Sequence, residues 1–562
     1  MGWIKLLDPA MGGENGTHKN KSEKRARLAP NGSSDASNPP LGALEPEAFK
    51  EENNGLTEPQ EKDTTLKDFY FGDDDEDDED DEWQPSKIPF DHENSFCINC
   101  TVRNYDCTAS SCEHCGAIMA SKVNGYDAFQ AQIEDAISRY NASSSSSNTA
   151  FGFDERMLLH NEIEMKSYPH PERPDRLRAI ATSLTESGIF PEKCTLIQAR
   201  EITREELLNV HSLDNVEAVE QTKNMLYSYF TPDTYANAHS ACAAKLAAGI
   251  CADLSTSIMS GHFKNGFALV RPPGHHATIK QAMGFCLHNN AAVAAIAAQK
   301  AGAQKVLIVD WDVHHGNGTQ EIFDGNKSVL YISLHRHEGG NFYPGTGAFV
   351  EVGTNGAEGF SVNIPWSCGG IGDRDYIFAF KNVVLPIAKE FAPDMTIISA
   401  GFDAARGDPL GGCDVTPAGY AQMAHMLTSL SDGKLLVVLE GGYNLRSISS
   451  SATAVVKVLL GEKPEIELED PMPSREGLES VLHVLQIQVH YWPVLSHHCA
   501  VVKPFLDYYS LSSVINIGNQ TRKRPRYTGP FWWKCGSKRI FFELISKRLQ
   551  KKRLMRHDKG IR

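Results

Sequence analysis

Residues that can bind a metal follow an apolar run near the middle of the chain. Residues 306–309 are apolar and mostly β-branched, which is typical of a strand buried on both faces. Asp310, Asp312 and His314 follow at alternate positions, and alternate side chains of an extended chain point to the same side. The sequence therefore predicts part of a metal site here. A strand end whose polar residues only cap a turn would look the same, so other stretches must decide.

A second apolar run, residues 395–399, is followed by Asp403 in a glycine-flanked turn. This carboxylate either caps the turn or completes a metal site with Asp312 and His314. Three protein ligands leave positions open for water and substrate, which is typical of a catalytic site. A metal bound there can polarise a carbonyl and lower the pKa of water.

Two more stretches supply groups for proton transfer and hydrogen bonding. His275 and His276 follow a Pro-Pro-Gly turn, where proline fixes φ and glycine permits a tight bend. Histidine titrates near neutral pH and suits general acid–base catalysis. Tyr443 follows a Glu-Gly-Gly run and can donate a hydrogen bond to an oxyanion. These residue types together suit hydrolysis of an amide or a similar carbonyl.

Short apolar runs alternate with helical segments over residues 150–465. The predicted strands are 266–270, 306–309, 329–333, 395–399 and 435–439. The predicted helices are 236–253, 289–300, 377–389, 417–430 and 449–460. This alternation predicts an α/β fold with a central, mostly parallel sheet flanked by helices. Sites in such folds lie at the carboxyl ends of the strands, which is where the polar clusters occur.

Four cysteines ahead of this domain have the spacing of a zinc site. They are Cys97, Cys100, Cys112 and Cys115. Two Cys-x2-Cys pairs separated by eleven residues suit tetrahedral zinc, and so short a segment needs the metal to fold. Cys107 lies between the pairs and is interpreted as a bystander.

The remaining regions are defined by composition. The predicted organisation is disorder over 1–90 with an acidic run at 73–82, a zinc finger at 91–120, a helix and Ser-rich linker at 121–149, a catalytic domain at 150–465, and an extension with a basic tail at 466–562. The acidic run suits a basic partner such as a histone, or is a solubilising spacer. Residues 19–27 and 522–526 have the composition of nuclear-import signals, or are merely exposed basic stretches.

Overall composition excludes several classes of protein. The net charge is −16, although residues 521–562 carry 15 Lys and Arg against two acidic residues, which argues against uniform coating of nucleic acid. No run of eighteen apolar residues occurs, so no membrane span is predicted. No secretory signal is predicted, and thirteen cysteines in 562 residues do not make a disulfide scaffold.

The motifs RPPGHHA, DWDVHHGNG, SAGFDAARGDP and LEGGY, in this order, resemble those of the zinc-dependent histone deacetylase family. DWDVHHGNG and the Glu before Gly-Gly-Tyr are similar to its class II members. The cysteine segment resembles a Ran-binding-protein-2 type zinc finger, although the Trp usual before the first Cys is absent. The resemblance covers about 90–120 and 150–490 and implies the three-layer arginase/deacetylase fold.

The resemblance also implies a role for each catalytic candidate. The zinc ligands would be Asp312, His314 and Asp403. His276 would act as the general base toward the attacking water and then as the acid toward the lysine amine. His275 would be its electrostatic partner, oriented by Asp310. Tyr443 would stabilise the oxyanion, and Asn317 stands where class I enzymes carry an Asp partner for the second His.

A narrow tunnel for the acyl-lysine stem is a further implication. Gly284 and Phe285 match one wall, and Leu410 matches the rim or floor. The opposite wall carries Tyr343 where the family usually has Phe, and its hydroxyl needs a partner. The entrance loop would be formed by Tyr168, His170 and Pro171. A structural K⁺ is also implied, bound by the Ser333 hydroxyl and by the carbonyls of Leu334, Asp310, Asp312 and His314.

The sequence thus predicts a lysine deacetylase that uses one catalytic and one structural Zn²⁺ and represses transcription in chromatin. Expected partners are acetylated histone tails, transcription factors or corepressors, and RNA or protein at the finger. No membrane association is expected, and homo-oligomerisation is left open. The expected location is the nucleus, with the cytoplasm not excluded. The alternatives are an acetylpolyamine amidohydrolase and a mainly non-catalytic recruiting scaffold.

Overall fold

A computed structural model describes residues 148–164, 169–464 and 472–505, the single residues 131 and 467, and the backbone of 95–96 and 103–104. Its strands, in chain order, are β1 Ser95–Phe96, β2 Arg103–Asn104, β3 Thr149–Gly152, β4 Thr195–Leu196, β5 Tyr227–Thr231, β6 Thr234–Asn237, β7 Asn265–Ala268, β8 Val306–Asp310, β9 Val329–Arg336, β10 Ser361–Trp366, β11 Met395–Ala400 and β12 Leu435–Leu439.

Eight of these strands form one sheet in the order β10-β9-β8-β11-β12-β7-β3-β4. Every neighbouring pair is parallel, which confirms the predicted sheet. The central strands β8, β11 and β12 are buried along their whole length, because their Val, Ile and Leu side chains face helices on both sides. β5 and β6 form a separate antiparallel hairpin.

The described helices are α1 Asp175–Glu186, α2 Arg204–Leu207, α3 Leu213–Gln221, α4 Ser240–Met259, α5 Asn290–Lys300, α6 Asn317–Phe323, α7 Asp373–Ala379, α8 Leu385–Phe391, α9 Pro417–Leu427, α10 Leu445–Leu459, α11 Arg475–Gln488 and α12 Leu495–Val502. Single 3-10 turns occupy Glu155–Leu159, Thr222–Asn224 and Ser431–Gly433. Helices α4 and α5 pack together, and α10 packs between α1 and α9. These two groups cover the sheet and complete the three layers.

All five predicted strands are present, and the predicted helices differ mainly at their ends. The helix expected from residue 236 starts at Ser240, because Thr234–Asn237 pairs as β6. The helix expected over 377–389 contains a π-helical turn at Phe380–Val384, where the Leu385 N–H donates to the Phe380 carbonyl. Pro386 follows and has no N–H to donate, so a regular α-helix cannot run through this point.

Helix α4 is long and apolar enough to cross a membrane by length and composition. However, 67% of its apolar window is buried inside the structure, and it packs against α5 and β7. It therefore packs as a core helix of the described domain.

The chain continues past residue 465 with helices that pack on the sheet. Helix α11 follows, and its Gln488 Nε2 donates to the Ser361 carbonyl of edge strand β10 at 3.3 Å. Trp492 Nε1 donates to the Gly359 carbonyl at 2.8 Å. The boundary at 465 remains a prediction.

Several predictions fall outside the described residues. These are the disorder of 1–90, the acidic run, the four finger cysteines, most of the helix expected over 127–140, and the basic tail. Near the finger, the backbones of β1 and β2 pair antiparallel, with Ser95 opposite Asn104.

Candidate active site

The polar residues of the site converge because they follow neighbouring strands. β8 pairs with β11, with Asp310 opposite Ser399, and β11 pairs with β12, with Ala400 opposite Leu439. The segments after these strands therefore leave the sheet side by side. β7, which precedes the His pair, is the next strand along.

Asp312, His314 and Asp403 form a buried cluster whose donor atoms all lie within 4.8 Å of one another. His314 Nδ1 lies 3.0 Å from Asp312 Oδ1 and 3.1 Å from Asp403 Oδ2. A tetrahedron with bonds of about 2.1 Å has edges of about 3.4 Å, so these three donors fit the corners of one zinc site. The structure thus brings the three predicted ligands together.

The backbone approaches the cluster so closely that two of its positions need glycine. A Cβ on Gly401 would collide with the Asp312 carboxylate, and one on Gly441 would collide with both carboxylates. Burial and the nearby Asp312 charge raise the pKa of Asp403 to about 6. Two carboxylates buried this closely repel each other, and a divalent cation removes that repulsion.

His276 is the best-placed general base in the cluster. Its Nδ1 lies 2.8 Å from Asn317 Oδ1, so Nδ1 carries the proton and the Nε2 lone pair is available. Among the described residues, Nε2 has no hydrogen-bond partner. Burial, the adjacent His275 and the more distant His314 lower the pKa of His276 well below its usual value. The imidazole is therefore neutral and able to accept a proton at pH 7.

His275 is held by the carboxylate of Asp310. His275 Nδ1 lies 3.1 Å from Asp310 Oδ2, which also accepts the Tyr331 hydroxyl at 2.9 Å. Burial opposes protonation of His275, but the charges of Asp312 and Asp310 outweigh it and raise the pKa to about 10. The His275 and His276 rings are tilted by 44° relative to each other, with centroids 4.1 Å apart. The predicted Asp–His–His arrangement is present.

Tyr443 lies at the edge of the site with its ring against Phe285, at a centroid distance of 5.8 Å. Burial and the Asp403 charge raise the pKa of Tyr443 well above its usual value, so its hydroxyl keeps a proton to donate. Its backbone N–H donates to Asp408 Oδ2 at 2.7 Å.

Asp408 is a functional residue that the sequence interpretation missed. Its Oδ2 accepts the N–H groups of Tyr443 and Asn444, at 2.7 and 3.2 Å. Its Oδ1 accepts those of Leu410 and Gly411, at 2.8 and 3.2 Å. One buried carboxylate therefore joins the segment that carries the tyrosine to the segment that carries a tunnel residue.

Glu440 anchors the His pair in a similar way. Its Oε2 accepts the backbone N–H groups of Gly274 and His275, at 2.6 and 3.1 Å, and its Oε1 accepts the Ser399 hydroxyl at 2.8 Å. Glu440, His275 and Cys286 also have donor atoms within 4.8 Å of one another. Burial raises the pKa of the Cys286 thiol well above its usual value. The thiol therefore stays protonated in the absence of a metal.

Glu172 organises a second buried charge network behind the site. It accepts two hydrogen bonds from Arg271, at 2.8 and 2.6 Å, and one from Arg176 at 3.1 Å. Arg176 in turn donates to the Gly442 carbonyl at 2.7 Å and to the Glu440 carbonyl. The network therefore reaches the backbone just before Tyr443. Glu172 and Arg176 are four positions apart, but Arg271 is 99 positions from Glu172, so the sequence did not show that the three residues meet.

The predicted tunnel residues form one small apolar cluster. Phe285, Leu410 and Tyr443 are buried together, and the partly buried Tyr343 packs against them. Gly284 has a positive φ of 56°, and a Cβ there would lie 2.5 Å from His276 Cδ2. A side chain at this position would therefore displace the base, so glycine is required.

The remaining predictions have mixed outcomes. His170 meets Phe285 edge-on at 4.6 Å and so lies at the tunnel, whereas Tyr168 is outside the described residues. Ser333 is opposite Asp310 in the sheet, as a K⁺ site would require, but its hydroxyl lies 2.9 Å from His335 Nδ1. The role of Ser333 and Leu334 in binding K⁺ stays a prediction.

Comparison with known proteins identifies the family. The histone deacetylase domain family matches residues 170–459. Histone deacetylase 15 of Arabidopsis thaliana is 58% identical over 504 residues, which cover 87% of this chain and 90% of that protein. Histone deacetylase HDA1 of Saccharomyces cerevisiae is 43% identical over 372 residues, covering 61% of this chain and 52% of the yeast protein.

A solved structure shows the same fold. The crystal structure of the HDA15 HD domain matches with a TM-score of 0.61 and 70% sequence identity, covering 63% of this chain and 99% of that one. The similarity to plant histone deacetylase 15 agrees with the resemblance that the catalytic motifs carry. The chain belongs to the histone deacetylase family, and the deacetylase fold and hydrolase class predicted from its motifs are confirmed.

Proposed function

We propose that this deacetylase uses Zn²⁺ to hydrolyse N6-acetyl-lysine on histone tails. The observation that carries the proposal is the Asp312–His314–Asp403 cluster beside a neutral His276 and a protonated Tyr443. Zn²⁺ bound by these three ligands would polarise the substrate carbonyl and lower the pKa of water.

His276 moves the proton in both halves of the reaction. Its Nε2 takes a proton from the attacking water while Nδ1–H stays bonded to Asn317. The imidazolium then gives that proton to the lysine nitrogen as the amide bond breaks. The charge of the adjacent His275, which Asp310 holds in place, lowers the pKa of His276 and so favours return of the proton.

Tyr443 stabilises the charge that develops on the carbonyl oxygen. Its hydroxyl is a neutral donor, and hydrogen-bond donors fixed in a water-poor site are a large source of catalysis. Arg176 and Asp408 hold the peptide group that precedes Tyr443 through the Gly442 carbonyl and the Tyr443 N–H, and Asp408 also accepts the Asn444 N–H that follows. The donor therefore needs little rearrangement during the reaction.

The apolar cluster of Phe285, Tyr343 and Leu410 supports an acyl-lysine substrate. Four methylene groups must pass such walls before the amide reaches the metal ligands, and apolar walls favour their burial. We further propose a nuclear, transcription-repressing role with histone tails as partners, because the relatives are named histone deacetylases. Zinc at the four finger cysteines and a structural K⁺ belong to the same proposal.

Turnover of an acetylated histone-tail peptide tests the proposed substrate. The wild-type enzyme should release acetate, and a zinc chelator should abolish release until Zn²⁺ is restored. His276→Ala and Tyr443→Phe should each reduce kcat by about 10²- to 10³-fold. If the enzyme hydrolysed acetylpolyamine but not the peptide, its substrate would be an acetylated small amine and not a histone tail.

Two further tests address the scaffold alternative and the finger. If His276→Ala and Tyr443→Phe chains restored the function of a deletion in cells, the chain would act by recruitment rather than by catalysis. Cys112→Ser should remove one equivalent of zinc and leave peptide turnover in vitro unchanged. Loss of turnover would instead make the finger part of the catalytic unit.

A further inference from the structure

Tyr343 differs from the other tunnel residues because it brings a hydroxyl into an apolar cluster. Its ring meets His276 edge-on at a centroid distance of 5.2 Å and His314 at 6.2 Å. Within the part of the chain that the structure describes, the hydroxyl has no hydrogen-bond partner. Burial raises the pKa of Tyr343 well above its usual value, so the hydroxyl remains neutral.

The hydroxyl lies next to the general base. A Cβ placed on Gly284 would lie 2.9 Å from the Tyr343 oxygen and 2.5 Å from His276 Cδ2. The Gly284 backbone, the Tyr343 hydroxyl and the His276 ring therefore border one small space. Tyr343 is only partly buried, so water or substrate can reach this space and bond the hydroxyl.

The reaction places a matching donor in this space. His276 must come within hydrogen-bond reach of the substrate nitrogen, because that nitrogen leaves as an amine with the proton that His276 carries. The amide N–H of the substrate is therefore close to the His276 ring, on which Tyr343 packs. A neutral hydroxyl oxygen can accept a hydrogen bond from this N–H.

We propose that the Tyr343 hydroxyl accepts a hydrogen bond from the ε-amide N–H of the acyl-lysine substrate. This inference rests on the proposed function, since it requires an amide in the tunnel. It makes Tyr343 a specificity residue for amides, whereas Phe285 and Leu410 contribute only apolar walls. A phenylalanine at position 343 would keep the ring and lose the contact.

The test compares Tyr343→Phe with the wild-type enzyme on two substrates. One is an acetyl-lysine peptide and the other is its isosteric acetyl ester, in which oxygen replaces the amide N–H. We expect the variant to lose about three- to tenfold in kcat/KM on the amide, the size of one neutral hydrogen bond. On the ester, kcat/KM should change by less than about twofold, because the ester has no proton to donate.

Tyr420→Phe is the matched control. Tyr420 is fully buried, packs on Trp311 and Phe402, and has a hydroxyl with no partner among the described residues. This variant also removes one hydroxyl, but outside the tunnel, so its effects on the amide and on the ester should be equal. Zinc content should match the wild type in both variants.

Two outcomes would overturn the inference. Equal losses on amide and ester would mean that the hydroxyl acts through packing. No loss on the amide, or a gain, would mean that it makes no contact there. If the wild-type enzyme turned over acetylpolyamine but not the peptide, the proposed substrate would be wrong. The amide and ester forms of acetylpolyamine would then test the Tyr343 contact separately.

Discussion

The catalytic site has two halves that are held in different ways. The polar half consists of residues just past the ends of β7, β8, β11 and β12, all within the buried centre of the sheet. The tunnel half consists of Phe285, Tyr343 and Leu410, which lie on loops, and Tyr343 is partly exposed. Parallel strands fix the chemistry, and loops, which tolerate sequence change, carry the selectivity.

Buried carboxylates are the second difference between the halves. Glu440 holds the backbone before His276, Asp310 holds His275, and Asp408 holds the backbone of Tyr443. In the tunnel half, Asp408 also holds the Leu410 N–H. Each carboxylate accepts at least two hydrogen bonds, which makes its burial tolerable. The polar half should therefore respond to substitution much more strongly than the tunnel half.

Asp403→Asn should have the largest effect. An amide is a poor zinc ligand, so we expect loss of the catalytic zinc and a fall in kcat/KM of at least about 10³-fold. Metal analysis and peptide turnover check both. Asp414→Asn is the control, because Asp414 lies in an exposed pair with Arg406. Full zinc content with near-normal turnover in Asp403→Asn would remove this residue from the ligand set.

Glu172→Gln should destabilise the fold by about 3–5 kcal/mol, because it leaves two buried arginines without their carboxylate. Burial opposes the charge of Glu172, but Arg271 and Arg176 outweigh it and lower its pKa. Because the pKa of Glu172 is lower in the folded chain, its charge stabilises the fold fully above the pKa of an unfolded Glu, about 4.3. This stabilisation is lost as the pH falls below that value. The loss in free energy of unfolding caused by Glu172→Gln should therefore be constant from pH 8 to 5 and become smaller at lower pH.

Urea unfolding at several pH values checks this prediction. Glu206→Gln is the control, since Glu206 pairs with Arg200 on a partly exposed surface. That pair should contribute less than about 1 kcal/mol. Equal effects of the two substitutions, or a difference that grows as the pH falls, would contradict the role given to the buried network.

The sequence predicted the polar half well because its signals are local. The runs that became β8, β11 and β12 are continuous and apolar, and their polar residues follow within a few positions. The edge strand β10 was missed because its sequence, Ser-Val-Asn-Ile-Pro-Trp, is mixed and contains Pro365. Proline is tolerated there because β10 pairs only with β9.

The anchoring residues were not predictable in this way. Glu440 and Gly274 are 166 positions apart, and Glu172 and Arg271 are 99 apart. A lone carboxylate in sequence does not show which backbone N–H groups it will accept. Motifs reveal groups that do chemistry, whereas the residues that hold them depend on tertiary packing.

Asp408→Asn tests the one anchor that serves both halves. The side-chain oxygen of asparagine can still accept from the N–H groups of one segment. Its NH₂ group, however, would face the N–H donors of the other segment and could not accept from them. Displacement of Tyr443 should lower kcat about ten- to a hundredfold, with KM changed by less than about threefold. In a Tyr443→Phe background, the same substitution should have little further effect. Additive losses would show that Asp408 acts on the fold rather than on Tyr443.

Asn317→Asp tests how the general base is tuned. The wild-type pKa of His276 is lowered by burial and by His275 and His314. A carboxylate beside Nδ1 favours the protonated form and raises this pKa by about one unit or more. The acid limb of the kcat/KM profile should therefore move to higher pH, with the loss of activity confined to the acid side and little change at pH 8. An acid limb that stayed in place or moved to lower pH would contradict this assignment.

Leu410→Ala should have the smallest effect and separates the halves within a single loop. The Leu410 N–H bond to Asp408 is unchanged by the substitution, whereas the side-chain contact with the tunnel is lost. The lost apolar contact of about 1 kcal/mol should raise KM roughly fivefold and leave kcat within about twofold. Asp408→Asn should thus change mainly kcat, whereas Leu410→Ala should change mainly KM. A fall in kcat for Leu410→Ala would mean that the leucine side chain helps to position Tyr443, so the tunnel would belong to the catalytic half.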